Sequence, residues 1–146
     1  MYIVDRINKV VQKQPDPPLT GQSRKTSILI VDDEPDVLAI FKQSLERSGY
    51  STYGFVNPSA ALEHFEQNPR SYQMVITDVR MPVMSGFELV RGIRKMNQDV
   101  RIVLMTAFEI SMSEMKTVLP SLKIDGILHK PIEFEKLDAT IKMLAT

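Results

Sequence analysis

The chain has no cysteine, which excludes disulfides and thiolate metal sites and leaves the redox compartment only weakly indicated. Neither charge is in excess. Eighteen Lys and Arg balance eighteen Asp and Glu, and no basic block is longer than the Arg24-Lys25 pair, so nucleic acid and anionic membrane are not the expected partners. A long apolar span and a signal-type apolar region are both missing, which makes a soluble, cytoplasmic protein the default expectation. At 146 residues there is room for one domain with a proper core, and a second catalytic or DNA-binding domain has nowhere to fit.

What is present begins with an extension, residues 1-26. Ile3, Val4, Ile7, Val10 and Val11 recur at helical spacing, with Asp5, Arg6, Asn8, Lys9 and Gln12 on the other face, which predicts one amphipathic helix over 1-14. Residues 15-26 are rich in proline and polar side chains and read as a linker. So short a helix either frays in isolation or docks its Ile/Val stripe on the domain, on a second copy of the chain or on another protein.

From Ser27 to Thr146 short β-rich runs alternate with longer helical ones, and this stretch reads as one domain. The strand candidates are Ile28 to Val31, Tyr50 to Phe55, Tyr72 to Thr77, Arg101 to Met105 and Gly126 to Leu128, most of them apolar on both faces. Amphipathic segments separate them: Glu34 to Arg47, Asn57 to Gln67, Ser85 to Asn97, Ser111 to Leu119 and Glu133 to Leu144. Asn57-Pro58 is a helix-start signal, and Gly49 and Pro120 lie close behind helix ends. Strand-then-helix order with right-handed crossovers predicts an α/β fold, a doubly wound five-stranded parallel sheet with helices on both faces.

In such a sheet all strand carboxyl ends open onto one crevice. Asp32 and Asp33 follow the first strand and Asp78 the third, and in the order 2-1-3-4-5 these strands are neighbours. Two unit charges about 4 Å apart repel by roughly 4 kcal/mol at an effective dielectric near 20, so three converging carboxylates need a cation or a raised pKa. An oxygen-only set favours a hard divalent ion, Mg2+ in particular. Thr106 and Lys130, at the ends of the fourth and fifth strands, add a hydroxyl and an ammonium, the complement of a phosphoryl group. Asp78 is then the natural nucleophile, forming an acyl phosphate. Any one of these residues alone is a solvated cap or strand-end charge; five at matched strand ends are not.

The motifs that carry a family resemblance are Ile28-Leu29-Ile30-Val31-Asp32-Asp33-Glu34-Pro35, Thr77-Asp78-Val79-Arg80-Met81-Pro82-Val83-Met84-Ser85-Gly86, Thr106-Ala107 and Lys130-Pro131. With them, residues 27-146 resemble a chemotaxis-regulator-like response-regulator receiver domain of two-component signalling, apparently stand-alone, with a flavodoxin-like sheet. The resemblance implies Asp78 as phosphoacceptor, Mg2+ on Asp33, Asp78 and the Arg80 backbone carbonyl with Asp32 acting through water, and Lys130 and Thr106 on the phosphoryl group. It implies a cis peptide before Pro131, and a sensor histidine kinase or phosphotransfer protein as donor. The downstream target is then a protein, a second copy of the chain is an admissible partner, and the domain is a switch that assists its own phosphorylation and dephosphorylation rather than an enzyme. Gly86 is expected to let the chain turn into the third helix.

Three departures from the family pattern bear on mechanism. Ile127 stands where an aromatic residue is usual. The helix after Thr106 ends at Pro120 and continues into Ser121-Leu122-Lys123-Ile124-Asp125-Gly126. Arg80 and Phe108 are expected to flank the path of attacking water and to slow hydrolysis. The second reading is an interaction module independent of phosphorylation. A metal-dependent phosphatase would carry its nucleophile on the first strand, a flavin carrier would need a phosphate-cradling first turn, and with no helix-turn-helix DNA binding would be indirect. His64 and His129 are read as surface or strand-end histidines, and the methionines as gap fillers, with Met112 and Met115 as a candidate partner surface.

Overall fold

The computed structural model describes residues 25-107, 113 and 122-145. The expectations for the helix over 1-14, for most of the linker, for Phe108 and for the helix over 111-119 with Met112, Met115 and Pro120 fall outside the described residues.

Elements alternate in the order β1 (Ser27–Val31), α1 (Pro35–Arg47), β2 (Ser51–Phe55), α2 (Pro58–Gln67), β3 (Met74–Asp78), α3 (Gly86–Met96), β4 (Arg101–Thr106), β5 (Gly126–His129) and α4 (Phe134–Ala145). The strands form one parallel sheet in the order β2-β1-β3-β4-β5. Every residue of β1 and of β3 is buried, as expected of central strands covered on both faces.

Local chemistry sets the helix ends. The Asn57 side chain accepts from the N–H groups of Ser59 and Ala60, with Pro58 at the first helical position of α2. Ser85 and Glu88 form a reciprocal capping box on α3, which satisfies two amides that would otherwise lack partners. Behind α1 the chain turns through Gly49 at φ 96°, a conformation that costs glycine nothing.

Two apolar layers sandwich the sheet. Leu29, Val31, Val75, Ile102 and Leu104 pack with Phe65 of α2 and Leu89, Val90 and Ile93 of α3. Ile28, Ile30, Met74, Ile76, Val103, Met105 and Leu128 pack with Leu38 and Leu45 of α1 and Leu137 and Ile141 of α4. The strict alternation along each strand fixes register, because a slip of one residue would exchange the two layers.

The observed elements differ from the sequence expectation by one or two residues at their ends. Asp78, Thr106 and His129 are the last residues of β3, β4 and β5, where the apolar runs alone end one residue earlier. A strand continues as long as its neighbours offer ladder partners, and Asp78 is paired with Met105 and Thr106 with His129.

Candidate phosphoryl and metal site

Strand alternation builds the site. Asp32, Asp78 and Lys130 extend the rows of β1, β3 and β5 that face α1 and α4 (Ile28 and Ile30, Met74 and Ile76, Leu128), whereas Thr106 extends the row of Ile102 and Leu104 on the opposite face. Three of the five residues therefore converge from one layer, and the fourth strand closes the group from the other. The Lys130 N–H donates to the Thr106 carbonyl at 2.7 Å, which ties the end of β5 to the end of β4, and the Lys130-Pro131 peptide is cis, as the resemblance implies.

One ammonium stands among several carboxylates. Lys130 Nζ lies 3.1 Å from Asp32 and 3.2 Å from Asp78, and carboxylate oxygens of Asp32, Asp33 and Asp78 lie within 4.8 Å of one another. Asp32 is fully buried, Asp78 and Thr106 are nearly so, and Asp33 is half-buried. Asp32 Oδ1 also accepts from the Glu34 N–H, and Asp78 Oδ1 from the Val79 N–H.

Charge here is not balanced. Burial pushes the Asp78 carboxyl up, and the negative charge of Asp32 adds to this against the opposing pull of Lys130 and the Val79 N–H. Burial works against the Lys130 ammonium, yet Asp32 and Asp78 outweigh it and raise its pKa. The two directions are consistent: a single cation shared among carboxylates is itself well held but does not offset the burial of Asp78. An all-oxygen donor set with a surplus of negative charge fits a hard divalent cation, and neither histidine lies in it.

Gly86 is required here for a reason other than the one its sequence context suggests. Its φ is not in the left-handed region, but a β-carbon would lie 2.2 Å from the Asp78 carbonyl oxygen, and its N–H donates to the Val79 carbonyl at 2.8 Å. Only a residue with no side chain lets α3 start directly behind Asp78. Within the same loop Arg80 is exposed, and Val83, 94% exposed, holds φ at 72°, a strained conformation for a β-branched residue.

Two residues carry contacts that the sequence does not reveal, and a third lies elsewhere than expected. Glu34 sends its carboxylate to within 3.8 Å of Lys130. Arg94, buried on α3, donates to the carbonyls of Asn97, Gln98, Val100, Leu122 and Lys123 and to Asp125; its place four residues after Val90 in the apolar stripe was the available signal. The third, His64, is a correction. It is not on a polar surface but half-buried against the rings of Tyr53, Phe55 and Tyr72, because β2 and the approach to β3 supply an aromatic wall that the pattern of α2 alone does not reveal. His129 is exposed at the end of β5, as expected.

Comparison with known proteins agrees with this geometry. Residues 28–142 match the response regulator receiver domain, and the chain belongs to that family. It is a receiver domain of two-component signalling, a class of signalling phosphoacceptors that interact with histidine kinases or phosphotransfer proteins and are generally not classical enzymes. Over 81 residues, 56% of the chain and 66% of the relative, it is 32% identical to the response regulator receiver protein CpdR of Brucella abortus. Sporulation initiation phosphotransferase F of Bacillus subtilis is 25% identical over 79% of the chain and 90% of its own length. Other curated relatives are longer: the match spans 50% of the transcriptional regulatory protein YkoG of Bacillus subtilis and 25% of ZraR of Escherichia coli. Among solved structures, Vibrio cholerae CheY4 covers 83% of the chain and 99% of its own with a TM-score of 0.73 and 27% identity. TrrA of Thermotoga maritima in complex with Mg2+-BeF covers 82% and 98% with a TM-score of 0.70 and 34% identity. Among the described residues no helix is long and apolar enough to cross a membrane.

Proposed function

We propose that Asp78 is the phosphoacceptor of this receiver. An Asp78 oxygen attacks the phosphorus of a phosphohistidine on a sensor kinase or phosphotransfer protein, the P–N bond breaks, the imidazole leaves, and an acyl phosphate remains. The observation that carries this reading is the position of the Asp78 carboxylate at the end of the central strand, 3.2 Å from Lys130 and beside Asp32 and Asp33.

Asp33, Asp78 and the Arg80 carbonyl would hold Mg2+, with Asp32 reaching it through water. Bound there, the ion neutralises phosphoryl charge as it develops. That TrrA was solved with Mg2+-BeF supports the assignment. Lys130 and Thr106 take the phosphoryl oxygens: the first is already poised beside Asp78, and the second presents a hydroxyl at the end of the adjacent strand. Electrostatic positioning of this kind is most of what phosphoryl transfer asks of a protein. The new group, near −2 in charge, shifts the domain between two packings and so changes its affinity for a protein target in the cytoplasm. Residues 27-146 form the receiver unit, preceded by the extension 1-26.

The test is intact mass after incubation with Mg2+ and acetyl phosphate. One phosphoryl adduct is expected, lost in Asp78→Asn and without metal. No adduct from a folded protein, with a cognate kinase also failing, favours the phosphorylation-independent module, for which Asp78→Asn would leave target binding unchanged. The exposed Arg80, two residues after the acceptor, is expected to obstruct in-line water, so Arg80→Ser shortens the phosphoryl half-life; an equal half-life removes that role.

A further inference from the structure

We propose that Glu34 is a selectivity residue that admits phosphodonors to Asp78 according to their charge, an inference that rests on the phosphoacceptor reading above. Glu34 occupies the N-cap of α1, yet its side chain makes no cap hydrogen bond, although side-chain capping is what that position ordinarily rewards. Its backbone is fixed instead by the Glu34 N–H donating to Asp32 Oδ1 at 2.9 Å. The carboxylate that is left over is 63% exposed and stands 3.8 Å from Lys130 Nζ, beyond hydrogen-bond length. It therefore acts on the site as a charge and not as a structural bond.

Its place gives that charge a function. Asp32 and Asp78 hold Lys130 from the buried side at 3.1 and 3.2 Å, and Glu34 faces the same ammonium from the solvent side, where a donor must enter. A dianionic donor meets an additional like charge at the mouth, whereas a donor carrying positive charge next to its phosphorus, such as a phosphohistidine flanked by basic side chains, is not penalised. Glu34 also draws Lys130 away from the incoming phosphoryl oxygens. The first effect depends on the donor's charge; the second applies to every donor alike, and the two can be separated.

Two small donors separate them. Acetyl phosphate is dianionic near neutral pH; phosphoramidate carries an amine proton beside phosphorus and one negative charge fewer. In each case an Asp78 oxygen forms the new P–O bond as acetate or ammonia departs. Initial rates of adduct formation by intact mass, with Mg2+ and the full chain, are compared for the native protein, Glu34→Gln and Glu34→Lys. The acetyl phosphate rate is expected to rise about three-fold in Glu34→Gln and further in Glu34→Lys, the phosphoramidate rate much less, and the difference to shrink at high salt. Equal changes for both donors, or an unchanged ratio in both variants while the native protein is phosphorylated, overturn the proposal. If neither donor nor a cognate kinase modifies the native protein, the phosphoacceptor reading itself fails and this inference falls with it.

Discussion

Among the described residues the protein buries charge in two places and treats it differently. At the far end of α3, the Arg94 guanidinium meets five carbonyls and the Asp125 carboxylate, while Asp125 also accepts from the Ile102 N–H and lies 3.4 Å from Arg101. At the near end, one Lys130 ammonium serves Asp32, Asp78 and the more distant Glu34. The first cluster is saturated and holds the segment before β5 onto the end of α3. The second is left with surplus negative charge, which costs the resting fold stability and would be relieved by the cation proposed for it. Balanced buried charge marks architecture, and unbalanced buried charge marks a site.

The strongest way to break this contrast is to neutralise one member of each cluster. Arg94→Met removes the cation and leaves its carbonyls buried without donors, and is expected to lower stability by about 3 kcal/mol in urea unfolding, with the phosphorylation rate per folded molecule unchanged. A loss below about 1 kcal/mol would show that relaxation or water replaces the guanidinium.

Asp78→Asn is expected to act in the opposite direction. Burial raises the folded-state pKa of Asp78, so its ionised form destabilises the fold at neutral pH. The sign follows from linkage: below the folded pKa, and above that of the unfolded chain, the native state binds more protons, and stability grows as pH falls through that window. Removing the charge should therefore raise metal-free stability at pH 7, by about 1 kcal/mol, the usual scale for relieving a functional site. Millimolar Mg2+ is expected to stabilise the native protein and not Asp78→Asn, reversing their order. A variant less stable than the native protein without metal would mean that Lys130 already balances the site.

Much of this contrast was legible before the structure. Asp32, Asp33, Asp78, Thr106 and Lys130 each end an apolar run, and parallel topology brings such ends together whatever the details of packing. Alternation of strand and helix made the doubly wound parallel class legible, whereas the order 2-1-3-4-5 rests on the receiver resemblance. The Arg94 cluster was not, since its acceptors are backbone carbonyls, which carry no residue-type signature. Gly86 was legible as a glycine but not as a contact: the need for it comes from the Asp78 carbonyl across the turn. Glu34 stands in its motif without a role of its own because nothing in a linear pattern says that its carboxylate turns towards a lysine 96 residues later.

The smallest expected effect lies at His64, away from both clusters. Its Nε2 is 2.7 Å from the Tyr72 hydroxyl. Burial, with Tyr53 adding, pushes the Tyr72 phenol far up, so the phenol keeps its proton and shares a hydrogen bond with a neutral imidazole, its direction set by the His64 tautomer. Burial lowers the His64 pKa below its ordinary value. The unfolded chain, titrating at about 6.5, then binds more protons than the native state on acidification, so the contribution of His64 is present above about pH 6.5 and is lost as pH falls through the folded pKa. This slope opposes that of Asp78, and the two are separated by working in Asp78→Asn. In that background, thermal midpoints are expected to fall from pH 7.5 to pH 5.5 with His64 present and to fall less in His64→Gln, which keeps an acceptor for Tyr72 but does not titrate. Equal slopes would mean that the aromatic wall accommodates the imidazolium, its rings offsetting by cation-π attraction the hydration that burial removes.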